Sequence, residues 1–359
     1  FVLQLLVFRF VTSIIALICL TVLELNRKKF VAHNSLKMLL NLHGFWTYLL
    51  CLSTLIESTL HGYAHVTMKS PADLLLTTHQ CFIRMIPAFF GICGSVSSLL
   101  VMSFERFEAS KKIATYESST RMDGMKFVAI HILLLIGGMI MEVVMHGYPT
   151  KVAHCTVVSI IGRPIQTVLT ALLFYSEVFT IYFYTKLLRR NESLQASERS
   201  LGMSLSERYQ LCENIRVLRL LLPIVVSHTS LTIFAAIGFF IFEGVGFRQE
   251  TYPIFEDTIN FIYLQGIAMP LIFLVRYRNK LIVERRIFTT NMCTGEEFIS
   301  VYDNAITKGC ELEIAHLFAE SSYLKALLFF RLLTSGIAII CMIGLELNKK
   351  FFVPSSRYN

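Results

Sequence analysis

The chain has 359 residues, of which 54% are hydrophobic and 16% are charged, and its mean hydropathy is +0.60. A chain of this composition cannot cover itself with polar surface, which excludes soluble, disordered and collagen-like proteins. The net charge of +8 does not indicate a nucleic-acid partner, because the basic residues lie between apolar segments and not on one soluble face. We therefore expect a protein embedded in the lipid bilayer.

Seven apolar segments, each about as long as a helix needs to cross the hydrocarbon layer, follow one another along the chain. Barrel strands would be shorter and would alternate, so a transmembrane β-barrel is excluded. The pattern predicts an all-α membrane protein, a seven-transmembrane helix bundle, in residues 1–286. The predicted spans are 3–23, 37–60, 81–104, 126–146, 164–187, 217–243 and 255–275.

The distribution of Lys and Arg predicts the orientation of the bundle, because cytoplasmic loops retain the excess of these residues. One set of alternate connections holds 21 of them and the other set holds 4. The N-terminus is therefore expected outside the cell and the segment after residue 276 inside. Receptors have this arrangement, and some transporters and membrane enzymes share it.

Residues 8–30 and 330–352 align without a gap at an offset of 322 residues. Arg9 matches Arg331, and Glu24-Leu25-Asn26 matches Glu346-Leu347-Asn348. We interpret 323–359 as the truncated first span of a second receptor copy, joined through a polar linker at 287–322 by read-through or a faulty gene model, and expect the first copy to have lost its outer N-terminal segment. The alternative is a genuine eighth helix beside the bundle.

The chain contains no sequence motif typical of an enzyme. HExxH, GxSxG and GxxxxGK[ST] are all missing from the sequence. The nine cysteines show no CxxC and no zinc spacing. We therefore predict no catalytic residues, no cofactor and no metal site.

Glu105 and Arg106 stand at the end of span three, where we expect an acid and a base to sit at the cytoplasmic interface with little burial. Simple snorkelling of the arginine is the alternative. Ser204 and Glu207 have the spacing of a capping box, so the sixth helix is predicted to begin well inside the cytoplasm. Asn191 matches a glycosylation pattern but is expected in a cytoplasmic loop, and hence unmodified.

Three motifs resemble the nematode seven-span chemoreceptors of the Sra superfamily, and are most similar to the Srab type. They are F-E-R-F-x-A-S with T-Y-E at 104–117, L-S-E-R-Y-Q-L-x-E-N-I-R at 205–216, and H-N-x-L-K with L-H-G at 33–62. The resemblance covers about residues 1–290. It implies coupling to a heterotrimeric G protein and a place in the plasma membrane of sensory neurons, often in the cilium.

We expect the G protein to be activated through an inner face built from inner loops two and three. Glu105-Arg106 stands where the family has its acid–arginine switch. We expect the coupling set to be Glu105, Arg106, Arg208, Tyr209, Gln210, Glu213 and Asn214.

Polar residues inside a membrane bundle are costly, so we treat those in the outer and middle parts of the spans as candidates for a small-molecule pocket. The alternative for each of them is an interhelical hydrogen bond. The predicted pocket set is Glu57, Arg84, Glu142, Glu177, His228, Asn260 and Tyr263. A polytopic transporter is the alternative function, but residues 1–280 show neither the internal repeat nor the interrupted spans of that class.

Cys81 at the outer start of span three and Cys155 in the second outer loop are predicted to form a disulfide. Both lie on the oxidising side, whereas every other cysteine lies in a span or in the cytoplasmic half.

Overall fold

The computed structural model describes residues 2–26, 34–67, 76–111, 121–144, 151–152, 163–202, 204–245 and 258–275. Within these ranges the chain forms a bundle of seven helices, which confirms the predicted fold class. The predicted eighth span and its linker lie outside the described residues. The helices are α1 Val2–Asn26, α2 Asn34–Thr67, α3 Thr78–Lys111, α4 Arg121–Val144, α5 Arg163–Leu201, α6 Leu205–Val245 and α7 Ile262–Val275.

Five of these helices, α1, α2, α3, α5 and α6, contain stretches long and apolar enough to cross a membrane. The described parts of α4 and α7 contain shorter apolar stretches, Met125–Gly138 and Ile262–Val275. Thr258 and Ile259 are helical and residues 260 and 261 are not, so the predicted span 255–275 is interrupted before the 3₁₀ turn Ile262–Leu264.

Two glycines of α3 let it pack closely against α2. A Cβ atom at Gly91 would lie 2.7 Å from Cβ of Leu50, and one at Gly94 would lie 2.5 Å from the ring of Trp46. Glycine at these positions therefore lets the two backbones approach, as small residues do at membrane helix interfaces. The side chain of Trp46, the only tryptophan of the chain, lies across this contact.

The inner half of the bundle is held by a core in which α6 contributes the largest share. Its buried residues include Leu218, Leu221 and Ile224, which pack with Met102 of α3 and Tyr184 of α5. Large apolar side chains such as those of Leu133, Ile140 and Leu172 are exposed on the outside of the bundle. In a membrane protein this exposed apolar surface faces lipid, which explains why it needs no protein partner.

The inner ends of α5 and α6 extend into the connection that the predicted spans leave between residues 187 and 217. Helix α5 runs to Leu201 and α6 begins at Leu205, so only residues 202–204 separate them. Gly202 makes the turn with φ of 64°, a conformation that favours glycine. Asn191, expected in a loop, is therefore a buried residue of α5.

The predicted capping box of α6 is confirmed. The backbone N–H of Glu207 donates to the Ser204 hydroxyl at 3.4 Å, and that of Ser204 donates to the Glu207 carboxylate at 2.9 Å. The carboxylate accepts from both the backbone N–H and the hydroxyl of Ser204, and these two hydrogen bonds lower the pKa of Glu207. The sixth helix thus begins at Leu205, well before the predicted apolar span 217–243.

A short antiparallel ladder at the outer end was not predicted for an all-α chain. Leu76 pairs with Val152 and Thr77 pairs with Lys151. Thr77 and Gln80 then form a second capping box, in which each backbone N–H donates to the other side chain, at 3.1 and 3.3 Å. The ladder therefore joins the second outer connection to the start of α3.

Cys81, in the first turn of α3, is disulfide-bonded. The predicted partner, Cys155, lies outside the described residues, and it follows Val152 of the ladder by three positions in sequence. The pairing of Cys81 with Cys155 stays a prediction. Peptide mapping of the unreduced receptor is expected to find these two cysteines in one cross-linked fragment.

The Cys81→Ser and Cys155→Ser variants are expected to lose the same amount of stability, about 4 kcal/mol for a loop of this length, because either change removes the same link. The double variant should be no worse than either single one. Unequal losses, or a fragment that joins Cys81 to another cysteine, would contradict the pairing.

Candidate functional site: an outer cavity and three polar networks

A cavity of about 410 Å³ lies in the outer half of the bundle, with walls from α1 to α5 and residue Asn260. Its volume is in the range of small-molecule sites, roughly 300–1,000 Å³. Most of the wall is apolar, including Phe89, Leu135 and Leu173. The polar side chains in the wall include those of Arg9, Thr54, Glu57, His61, Ser97, Gln166, Thr170 and Asn260.

Two residues of the predicted pocket set, Glu57 and Asn260, line this cavity. Arg84 is exposed on α3, where its long side chain suits the outer membrane interface. Glu142 belongs to α4, but its side chain lies outside those described. Tyr263, Glu177 and His228 are buried elsewhere in the bundle and do not line the cavity.

Arg9 is a cavity residue that the pocket prediction missed. It lies on α1, only 4% of its surface is exposed, and it lines the same cavity as Glu57. Its place in the apolar segment 3–23 is the signal that could have identified it as a candidate, because an arginine is costly in lipid. Gln166 was also missed, and its Oε1 atom is buried without a hydrogen-bond partner in the described part of the chain.

Beside the cavity, three helices meet at His131 of α4. The indole N–H of Trp46 donates to Nε2 of His131 at 2.7 Å, and Nδ1 of His131 lies 3.1 Å from the Ser97 hydroxyl. Because Nε2 accepts a hydrogen bond, the proton of a neutral imidazole is on Nδ1 and faces Ser97. Ser97 lines the cavity, so this network connects the cavity wall to α2 and α4.

A second network, the central pair, joins α5 to α6 through Glu177 and His228. Nδ1 of His228 lies 2.7 Å from Oε1 of Glu177, and both side chains are buried. The Thr229 hydroxyl donates to Oε2 of Glu177 at 2.5 Å. Nε2 of His228 lies 3.1 Å from the Ser95 hydroxyl, which itself donates to the carbonyl of Ile92.

The hydrogen bonds orient the ring of His228. Because the Ser95 hydroxyl already donates elsewhere, it accepts from Nε2–H of His228. The opposite ring nitrogen, Nδ1, therefore faces Glu177 at 2.7 Å, and the two side chains bridge α5 and α6.

The third network, the inner network, surrounds Arg106 at the cytoplasmic end of α3. Nε and Nη2 of Arg106 each donate to an oxygen of the Glu105 carboxylate at 2.6 Å. Nη1 donates to Oδ1 of Asn214 on α6 at 3.4 Å. Ser110 of α3 accepts hydrogen bonds from the amides of Asn214, at 2.6 Å, and Asn191, at 3.0 Å.

The expected interfacial position of Glu105 and Arg106 is wrong. Only 1% of Glu105 and 2% of Arg106 is exposed, because α3 continues to Lys111 and the extended helices α5 and α6 cover this end. The pair is therefore a buried ion pair rather than a snorkelling arginine. Its bidentate geometry and the Asn214 contact supply the hydrogen bonds that a buried charge requires.

The predicted coupling residues divide between this network and the surface. Glu105, Arg106 and Asn214 are buried together. On the first turns of α6, Arg208 and Tyr209 are exposed, whereas Gln210 and Glu213 are half-buried. Glu213 also forms an ion pair with Arg216 at 3.3 Å.

In the part of the chain that the structure describes, seven helices form the bundle of a multi-pass membrane protein, with a cavity near one end and a buried acid–arginine pair near the other. The chain belongs to the family described as serpentine type 7TM GPCR receptor class ab chemoreceptor, which matches residues 1–306. It is also similar to serpentine receptor class alpha/beta-14 of Caenorhabditis elegans. The two are 27% identical over 274 residues, which cover 73% of this chain and 69% of the relative. Members of this family are receptors rather than enzymes.

Proposed function

We propose that the chain is a chemosensory receptor that binds a small environmental molecule in the outer cavity and activates a heterotrimeric G protein through its inner face, at inner loops two and three. Its place would be the plasma membrane of a sensory neuron, in the cilium. The family and the similar C. elegans receptor support a chemoreceptor.

The main support for this proposal is that α3 contributes residues to all three polar networks. Ser97 of α3 lines the cavity, Ser95 accepts from His228 of the central pair, and Arg106 contacts Asn214 at the inner end. A ligand that moves α3 relative to α6 therefore acts on both contacts. This gives a physical route by which binding at one end changes the surface offered to a G protein at the other.

The apolar wall of the cavity favours a small, mostly apolar ligand with few polar groups. Arg9, Glu57 and Asn260 are the residues we propose for its polar contacts. The members of the central pair contact each other and lie outside the cavity lining, so we assign Glu177 and His228 to the α5–α6 contact and not to the ligand.

Substitutions at two neighbouring glycines of α4 test whether the ligand binds in the outer cavity. Gly138 lines it, and a Cβ atom there would meet only the ring of Phe89, at 3.7 Å. Gly137 is exposed outside the cavity lining and has nothing within 4 Å of its Cβ position. Gly138→Leu is therefore expected to fill the cavity, whereas Gly137→Leu adds the same side chain on the lipid side.

The measurement is a calcium response to a panel of small odorants in cells that express the receptor with a promiscuous Gα subunit. For a compound that activates the wild type, Gly138→Leu should raise the half-effective concentration by at least about tenfold, equivalent to about 1.4 kcal/mol. Gly137→Leu should leave it unchanged at equal surface expression. Equal responses of the two variants would place the ligand elsewhere.

A further inference from the structure

A second cavity, of about 460 Å³, lies at the inner end of the bundle between α1, α2, α6 and α7. No residue lines both this inner cavity and the outer one. None of the residues that we assign to the ligand or to G-protein coupling lines it either. The function proposed above therefore does not use this space. Its apolar wall includes Leu20, Leu36, Leu221, Met269 and Phe273.

The inner cavity contains one unsatisfied polar group. Asn41 of α2 lines it, and Oδ1 of this residue is buried without a hydrogen-bond partner among the residues that the structure describes. The hydroxyl of Thr21, also in the lining, already donates to the carbonyl of Leu17 at 2.8 Å. An occupant that donates a hydrogen bond would satisfy Asn41, whose amide oxygen can accept two.

The charges and the position of the inner cavity restrict the occupant further. Glu24 and Lys37 both line it, so its lining carries one charge of each sign and favours a neutral ligand. Phe45 and Tyr48, which also line it, are 55% and 41% exposed on the outside of the bundle. The cavity therefore borders the part of the surface that faces lipid, and a membrane-dissolved molecule can enter from the inner leaflet.

We propose that the inner cavity binds a neutral membrane amphiphile of the sterol class. The hydroxyl group of the sterol donates to Oδ1 of Asn41, and its apolar body packs between α1 and α2 on one side and α6 and α7 on the other. Because α6 also carries Asn214 of the inner network, an occupant of this cavity contacts the helix on which coupling depends.

Gly44 provides a direct test of this site. It lines the inner cavity, and a Cβ atom there has nothing within 4 Å, so Gly44→Phe can extend into the space without displacing a neighbour. Gly62 is a matched control on the same helix. Its Cβ position is equally open, and it lines neither cavity.

The experiment measures labelling by a photoreactive sterol in nanodiscs, with competition by unlabelled sterol and by its 3-methyl ether, which cannot donate a hydrogen bond. The wild type and Gly62→Phe should be labelled equally, and Gly44→Phe should lose most of the labelling. The ether should compete about tenfold less well than the sterol, the effect of one lost hydrogen bond. In Asn41→Leu the two competitors should be equal.

Labelling of Gly44→Phe at the wild-type level, or equal competition by sterol and ether in the wild type, would overturn the proposal. The fluorescence of Trp46, followed on heating, establishes that each variant is folded before it is labelled. If Gly44→Phe does not fold, the comparison of sterol with ether in the wild type and in Asn41→Leu still decides the question.

Discussion

Arg106→Ala is expected to destabilise the folded receptor by about 3–5 kcal/mol, the usual cost of leaving one partner of a buried ion pair unpaired. Arg106 makes two hydrogen bonds to Glu105, and both side chains are almost fully buried. Removing the arginine therefore takes from a buried carboxylate the cation that holds both of its oxygens. Thermal unfolding in detergent, followed by the fluorescence of Trp46, measures this loss.

A variant that removes both charges separates stability from signalling. Glu105→Gln/Arg106→Gln leaves no buried charge, so it should unfold much closer to the wild type than Arg106→Ala does. Both variants should fail to activate a G protein, because each removes the contact between Arg106 and Asn214. If Arg106→Ala is as stable as the double variant, the arginine does not balance Glu105. Undiminished activation by the double variant would remove Arg106 from the coupling mechanism.

Glu177→Ala is expected to cost about 1–3 kcal/mol, because it leaves Nδ1 of His228 and the hydroxyl of Thr229 buried with a hydrogen-bonding partner removed. Glu177→Gln should be tolerated. Glutamine has the shape of glutamate, and its amide oxygen can still accept from the Thr229 hydroxyl. The same thermal unfolding measurement compares the two variants.

The ligand response distinguishes a helix contact from a ligand contact at this pair. A structural role for Glu177 predicts that the Gln variant keeps the potency and the ligand preference of the wild type, since Glu177 does not line the cavity. His228→Ala should be as unstable as Glu177→Ala, and the double Ala variant less than additive. Altered ligand preference in a stable Glu177→Gln variant would return this residue to the ligand site.

The sequence predicts where a helix begins and ends when local sequence patterns determine those bounds. The apolar segments define the spans, and the spacing of Ser204 and Glu207 predicts the start of α6. The inner extension of α5 was not predicted, because its sequence around Arg189 and Arg190 is as polar as a loop. Tertiary contacts stabilise this extension, including the ion pair at 2.9 Å between Glu192 of α5 and Arg219 of α6.

The candidate site depends on the rotation of each helix, which composition does not determine. Arg84 and Glu57 are both charged residues near the outer end of their spans, yet Arg84 is exposed and Glu57 lines the cavity. Arg106 was expected at the interface because the two helices that bury it, α5 and α6, are distant from α3 in the sequence. The position of Arg106 at the end of a span does not show that they cover it. Residue type and depth in the membrane therefore identify candidate site residues. Only the packing of the helices shows whether a candidate lines the cavity, lies on the surface or contacts another helix.

The central claim, that ligand binding in the outer cavity activates a G protein, is tested by nucleotide exchange on a purified heterotrimeric G protein with the receptor in nanodiscs. A compound that activates the wild type in cells should accelerate exchange with the wild type and Gly137→Leu, and should fail with Gly138→Leu. If the compound leaves the exchange rate unchanged and instead accumulates inside vesicles that contain the receptor, the chain is a transporter and the claim is wrong.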